Sequence, residues 1–262
     1  MPRLAVLGHP VSHSRSPAMQ NAALAALGLA DWKYQAIDAA PDAFEMTVRE
    51  LAAVGYAGAN VTVPHKGAAL ALADSLSETA REIGAANTLS FDSEEIRAEN
   101  TDAQGLLDAL PESAAGKRAL VLGAGGAARA AVWALAREGA KVAVWNRTAL
   151  RAEHLCEELG GAATDAPDQG NFELIVNTTA AGLRGEDPFV ELPLEAAAFR
   201  PGQTVVDLVY GERPSRLLAA AETAGARVVD GIEILVRQGA LSLQIWTERE
   251  PSLEAMRSAA RR

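Results

Sequence analysis

The chain has 262 residues, enough for one large domain or two modest ones. It is 49% hydrophobic and 22% charged with a mean hydropathy of +0.02, which supports a substantial core and excludes a disordered segment. A net charge of −10 argues against nucleic acid or an anionic membrane as partner, while leaving room for a small anion in a local basic pocket. The single cysteine, Cys156, excludes an internal disulfide and a cysteine-cluster metal site. The longest uncharged stretch, Ser16 to Ala30, contains Pro17, Gln20 and Asn21 and is too short to span a bilayer. The apolar run Leu4–Gly8 is too short for the core of a secretion signal. A soluble, cytoplasmic protein is expected.

In chain order, Arg3–Gly8, Trp32–Asp38 and Ala59–Val63 are expected as strands, being short, β-rich and bounded by Gly, Pro or Asp. Pro17–Leu27 and Ala43–Val54 carry apolar residues at helical spacing and stop at Gly28 and Gly55. Asn87–Asp92 and Glu95–Glu99 form an expected hairpin. The polar segment Pro111–Lys117 precedes a cleaner strand–helix–strand unit: Arg118–Leu122, Gly126–Glu138 ended by Gly139, and Lys141–Trp145. Leu174–Asn177, Thr204–Leu208 and Arg227–Val229 continue the strands, and from Ile232 the pattern is helical, interrupted at Pro251. Such alternation predicts an α/β fold with largely parallel strands covered by helices.

Gly123-Ala124-Gly125-Gly126-Ala127-Ala128 fits G-x-G-x-x-A between a strand and a helix, the setting that a dinucleotide pyrophosphate requires. The following strand ends at Asn146-Arg147-Thr148, with Arg151 nearby and no carboxylate to grip a ribose 2′-hydroxyl. Guanidinium groups there favour a 2′-phosphate, and so NADP over NAD. In the first half, Ser14 and Ser16 flank the start of a helix with Pro17 at its first position. Two hydroxyls beside a helix N-terminus suit a carboxylate or phosphate, although an N-cap role alone accounts for Ser16 and Pro17. Asn60 and Thr62 alternate with Val61 and Val63; the valines are expected to face the core. Lys66 is one of only four lysines against twenty arginines. A lysine kept where arginine is the default suggests proton transfer, which arginine cannot perform, although taken alone it reads equally as a surface lysine. Asp102 is compatible with simple helix capping, and Asn87 with a turn.

Together these segments resemble the NADP-dependent shikimate dehydrogenase family nearly end to end. Gly8-His-Pro10-Val-Ser-His13-Ser14-Arg-Ser16-Pro17 is similar to the family's G-x-P-[IV]-x-H-S-x-S-P. Asn60-Val-Thr62-Val-Pro64-His-Lys66 is similar to its N-V-T-x-P-x-K, and Gly84–Thr88, Asn100–Asp102, Asp230-Gly231 and Gln238–Ala240 follow in order. The resemblance implies an α/β substrate domain over about 1–101, a Rossmann-type, doubly wound NADP domain over 102–236, a cleft between them, and C-terminal helices, 237–262, returning to the first domain. It implies Lys66 and Asp102 as the catalytic pair, with Ser14, Ser16, Asn60, Thr62, Asn87, Asp102, Tyr210 and Gln238 as substrate residues. It implies Gly123 to Ala127, Asn146, Arg147, Thr148, Arg151, Thr179, Leu208 and Gly231 as cofactor residues. The implied reaction is reversible reduction of 3-dehydroshikimate to shikimate by NADPH, without metal, in aromatic amino-acid biosynthesis, by a monomer or homodimer. Departures from the family are Glu212 in place of a proline, Ile234 and Leu243 where methionine and phenylalanine are common, and Thr178 for a frequent alanine. A quinate dehydrogenase using NAD is disfavoured by Arg147. A non-catalytic NADP-binding regulator has no use for both Lys66 and Asp102.

Overall fold

Strand β1 (Arg3–Gly8) is buried along nearly its whole length: Ala5 and Leu7 enter one core cluster, while Leu4 and Val6, which alternate with them, are equally buried. A strand with no solvent face belongs to a sheet covered by helices on both sides. The structure, a computed structural model, describes residues 1–92, 95–211 and 214–262. It divides into two compact units, Met1–Gly105 with Leu235–Arg262, and Leu106–Ile234.

In the first unit β1 is followed by α1 (Ser16–Ala26), β2 (Lys33–Asp38), α2 (Phe44–Ala53), β3 (Tyr56–Val61), α3 (Lys66–Leu72), β4 (Ser75–Leu76), α4 (Glu78–Ile83), β5 (Thr88–Asp92), β6 (Glu95–Glu99) and the first residues of α5 (Asp102–Ala109), which runs on into the second unit. The sheet order is β2-β1-β3-β5-β6-β4, with β1 parallel to both neighbours and β5 antiparallel to β3 and β6. The expected hairpin is therefore present as β5–β6; Ser93 and Glu94 between its strands lie outside the described residues, as does Glu212.

The second unit contains β7 (Arg118–Leu122), α6 (Gly126–Arg137), β8 (Lys141–Trp145), α7 (Ala149–Leu159), β9 (Ala162–Ala163), β10 (Leu174–Asn177), β11 (Thr204–Asp207), α8 (Arg216–Thr223) and β12 (Arg227–Val229). All its strands are parallel, in the order β12-β11-β10-β7-β8-β9. This is the doubly wound dinucleotide-binding order, reversing between β7 and β10. Val121, Val144 and Val176 pack with Ala128, Ala131 and Leu135 of α6 on one face. Leu120, Leu122, Ile175 and Val205 pack with Leu217 and Ala221 of α8 on the other. Helices α9 (Gly231–Thr247) and α10 (Leu253–Ala260) close the chain.

Three expectations need correction. Val63 does not face the core but is 67% exposed, because β3 ends at Val61 and the chain turns, with His65 N–H donating to the Thr62 carbonyl. Ser16 is not the cap of α1. The helix starts at Ser16 without a side-chain cap from the preceding residue, and the Ser14 hydroxyl accepts the Ser16 N–H at 3.2 Å. Asp102 does not cap α5 either; the Asn100 side chain accepts the N–H groups of Asp102 and Ala103. Helices α7 and α8 were not foreseen, since each buries only two or three residues among charged neighbours.

At the amino ends of β7 and β10, Glu173 accepts hydrogen bonds from the Arg118 guanidinium at 2.7 Å and from the Arg118 N–H at 2.9 Å. These bonds hold its carboxyl down from 4.5 to about 2. A depressed carboxyl stabilises the fold above its unfolded value and loses that contribution as pH falls toward 2. Both side chains are partly open to water, which limits the contribution to about 1 kcal/mol. Melting curves from pH 6 to pH 2 are expected to show Glu173→Gln less stable than the parent at pH 6, with the gap closing toward pH 2.

Candidate active site

The polar residues of the first unit sit where its parallel strands end. β1 leads into the segment carrying Ser14 and Ser16, and β3 leads through Thr62 to Lys66 at the start of α3. The Lys66 ammonium lies 2.6 Å from Asp102 Oδ2, the two side chains being only 12% and 15% exposed. Asp102 Oδ1 accepts from Asn87 Nδ2 at 2.9 Å, and the same amide reaches Thr101 Oγ1 at 2.9 Å and Gln238 Oε1 at 3.1 Å. Gln238 approaches because Gly105 offers no side chain: a Cβ there would stand 2.7 Å from the Gln238 backbone nitrogen. Lys66, Asp102, Asn87 and Gln238 are thus brought together from four separate segments.

Asn60, in β3, belongs to the same buried polar network. It is 5% exposed, accepts from the Tyr34 hydroxyl at 2.7 Å and donates to Ser242 Oγ at 2.9 Å and the Asn87 carbonyl at 3.2 Å. Its amide is engaged within the protein, as that of Asn87 is. Thr88, Thr101 and Ser242 complete this buried network, with Ser242 Oγ 2.8 Å from Thr88 Oγ1 and 3.1 Å from Thr101 Oγ1. Sequence reading missed all three, since isolated hydroxyl residues carry no signal until their partners are known. By contrast, among the described residues the hydroxyls of Ser16 and Thr62 have no hydrogen-bond partner within the chain, and Ser14 Oγ serves only the Ser16 N–H. These three remain available to a ligand.

In the second unit, Gly123 takes φ +114°, and a Cβ there would stand 2.5 Å from Thr178 Oγ1, so the turn after β7 demands glycine. Gly125 faces open space at the N-terminus of α6, with Gly126 and Ala127 in the first turn. Backbone N–H groups and the helix dipole suit a pyrophosphate there. A groove of about 510 Å³ is lined by Asn146, Arg147, Thr179, Arg184, Glu186 and Glu191, among others. Asn146 Nδ2 donates to the Thr148 carbonyl, and Thr179 donates through both N–H and hydroxyl to Asn177 Oδ1. Asn177 in turn donates to the buried Asp207, whose carboxyl burial pushes up; Val209 N–H also donates to it. Leu208 and Tyr210 follow β11, and Gly231 opens α9 with its Cα against the Leu208 carbonyl. Arg151 is exposed on the first turn of α7. The absence of a carboxylate at the end of β8 is only local: Glu191, from a distant loop, stands 3.6 Å from the 83% exposed Arg147. Arg184 in the same groove was not foreseen. An open glycine turn with guanidinium groups beyond the second strand fits a dinucleotide bearing a 2′-phosphate.

Among the described residues no helix is long and apolar enough to cross a membrane, and no group of three or more His, Cys, Asp or Glu is placed to hold a metal ion.

Removing Asn60 takes away the oxygen that accepts from the Tyr34 hydroxyl at 2.7 Å and the amide that donates to Ser242 Oγ at 2.9 Å, both in the interior. Asn60→Ala is expected to cost about 2–3 kcal/mol, read as a clear fall in melting temperature. A melting temperature equal to the parent's contradicts the network.

Comparison with known proteins follows the same lines. A family profile described as shikimate dehydrogenase substrate binding domain matches residues 6–89. One described as shikimate / quinate 5-dehydrogenase matches 106–178, and one described as shikimate 5′-dehydrogenase C-terminal domain matches 231–261. The shikimate dehydrogenase (NADP(+)) of Moorella thermoacetica is 43% identical over 270 residues, covering 97% of this chain and 90% of that protein. The shikimate 5-dehydrogenase of Thermus thermophilus, solved in complex with NADP(H) and shikimate, is 42% identical with a TM-score of 0.90, over 100% of this chain and 99% of that one. Shikimate dehydrogenase from Aquifex aeolicus, 36% identical, superimposes with a TM-score of 0.94 over 100% of this chain and 98% of that one. With fold, motifs and identity along the whole chain in agreement, this protein belongs to the shikimate dehydrogenase family.

Proposed function

We propose that this chain is an oxidoreductase that interconverts 3-dehydroshikimate and shikimate with NADP(H) as the hydride carrier. The observation that carries the reading is the nearly buried Lys66–Asp102 pair, joined through Asn87 to Gln238, in a chain of this family. When bound, NADPH supplies a hydride to the carbonyl carbon. Lys66 Nζ gives a proton to the carbonyl oxygen in reduction and takes the hydroxyl proton in oxidation. Asp102 holds Nζ in place and balances its charge. Ser14 and Ser16 seat the substrate carboxylate at the start of α1, and Thr62, Asn87 and Gln238 hold ring hydroxyls. Asn60 joins this substrate set and also donates to the Asn87 carbonyl, bracing it. A substrate with several hydroxyls needs this density of donors and acceptors, since a site built to pair a hydroxyl rejects a ligand that lacks it. Gly123 to Gly126 receive the pyrophosphate and Arg147 with Arg151 the 2′-phosphate. The reading extends to a cytoplasmic enzyme acting as a monomer or homodimer on a small molecule.

Lys66→Ala is expected to lower turnover by about two to four orders of magnitude, the scale of a positioned acid–base group. Lys66→Arg keeps the charge beside Asp102 but cannot exchange a proton near neutrality. It is expected to be nearly as inactive as the alanine variant in steady-state assays at saturating shikimate and NADP⁺. A largely active arginine variant excludes the proton-transfer role.

Cofactor choice has its own test. Arg147→Ala is expected to raise the Michaelis constant for NADP⁺ about tenfold and leave that for NAD⁺ nearly unchanged, as loss of a largely exposed charge-assisted bond to phosphate requires. Equal loss for both cofactors displaces the 2′-phosphate seat.

A further inference from the structure

The loop between β1 and α1 carries both seat serines, yet β1 ends at Gly8 and the next regular element begins only at Ser16. Something outside the loop must fix its path. Asp38, the last residue of β2, does so with both carboxylate oxygens. Oδ1 accepts from His9 Nδ1 at 2.6 Å and Oδ2 accepts from the Val11 N–H at 3.2 Å. The hydrogen bond from His9 holds the Asp38 carboxyl below its ordinary value, so it is ionised at neutral pH. From Val11 the hydrogen bonds continue without a break. The Val11 carbonyl accepts the Ser14 N–H at 3.0 Å, and Ser14 Oγ accepts the Ser16 N–H at 3.2 Å. The same region ties in the other site loop. His9 N–H donates to the Val63 carbonyl at 3.0 Å, and His65, stacked on Phe44, donates through Nε2 to the Ala39 carbonyl at 2.7 Å.

We infer that Asp38 is a positioning residue for the carboxylate seat: through His9 and Val11 it sets the path of the 9–14 loop, and with it the place of the Ser14 and Ser16 hydroxyls. The inference rests on the reading of those serines as the seat for the substrate carboxylate. His9 and Asp38 are each about half exposed, so the pair adds little to global stability, and its effect falls on the loop. Asp38 does not itself touch the substrate.

The test compares Asp38→Ala, Asp38→Asn and Ser16→Ala by steady-state kinetics and melting temperature. Asp38→Ala is expected to raise the Michaelis constant for shikimate about three- to tenfold, with turnover and the Michaelis constant for NADP⁺ within about twofold of the parent. Asp38→Asn keeps an acceptor for the Val11 N–H and a polar group to pair with the His9 ring nitrogen, and is expected to restore shikimate binding. An unchanged Michaelis constant for shikimate in Asp38→Ala, while Ser16→Ala raises it, overturns the positioning role and leaves the seat standing. If Ser16→Ala does not raise it either, the seat is misplaced and the positioning role falls with it. If Asp38→Ala weakens both ligands alike and lowers the melting temperature, the carboxylate only supports the fold, and the inference is wrong.

Discussion

The Lys66–Asp102 ion pair sets the terms for the rest of the first unit, because neither charge is tolerable at 12–15% exposure without the other. Lys66 stands at the N-terminus of α3, where the helix dipole opposes a cation, and Asp102 stands at the N-terminus of α5, where the dipole favours an anion. The carboxylate is thus the anchor and the ammonium the guest. Asn100 takes over the capping of α5, which leaves both Asp102 oxygens free for Lys66 and Asn87. Asn87 must then find acceptors for its whole amide, and Thr101 and Gln238 supply them. Each buried polar group creates a demand that a further residue meets, until Tyr34 and Ser242 close the set. Partial satisfaction of such a network is worse than an apolar core, which explains its extent.

The two units solve ligand recognition differently. In the first, Lys66, Asp102, Asn87 and Gln238 are largely buried and joined by hydrogen bonds to one another, so their geometry is set by the protein itself. In the second, the guanidinium of Arg147 is 83% exposed on a loop and, among the described residues, meets Glu191 at 3.6 Å. The rigid part of that unit is backbone: the Gly123 turn, the N-terminus of α6, and the Asn177–Asp207 pair that holds the segments after β10 and β11. In the proposed reading, fixed backbone dipoles suit a pyrophosphate, and an exposed guanidinium suits the 2′-phosphate. An exposed cation forms and breaks contacts at little cost in desolvation.

Much of this was legible in the sequence because the chemistry lies beside punctuation. Arg3–Gly8, Arg118–Leu122, Lys141–Trp145, Leu174–Asn177 and Arg227–Val229 coincide with the observed strands, since each is a short apolar run bounded by polar or glycine residues. The scarcity of lysine singled out Lys66, and a glycine turn between strand and helix singled out Gly123–Ala128. What stayed hidden depends on partners far along the chain. Alternation puts Asn60 on the same face as Thr62, but it does not show whether that face is covered, and so hid the bonds from Asn60 to Tyr34 and Ser242. Glu191 lies 44 residues from Arg147 and no local pattern joins them. Ser16 looked like the helix cap by residue type, yet Ser14, two residues earlier, holds the N–H; end residues are fixed by loop path rather than propensity.

That loop path links local sequence to function. A serine two residues before a helix start can point anywhere until its backbone is held, and the backbone of 9–14 is held by β2, which contributes no substrate residue of its own. The order β2-β1-β3 places Asp38 beside Gly8 in register, so the carboxylate arrives at the loop because two parallel strands end together. Thr62 N–H donates to the Leu7 carbonyl across the opposite edge of β1. The central strand is therefore the reference for both site loops, one fixed through β2 and the other through β3. A slip of register on either side would leave every motif in the sequence intact and still separate the serines from Lys66.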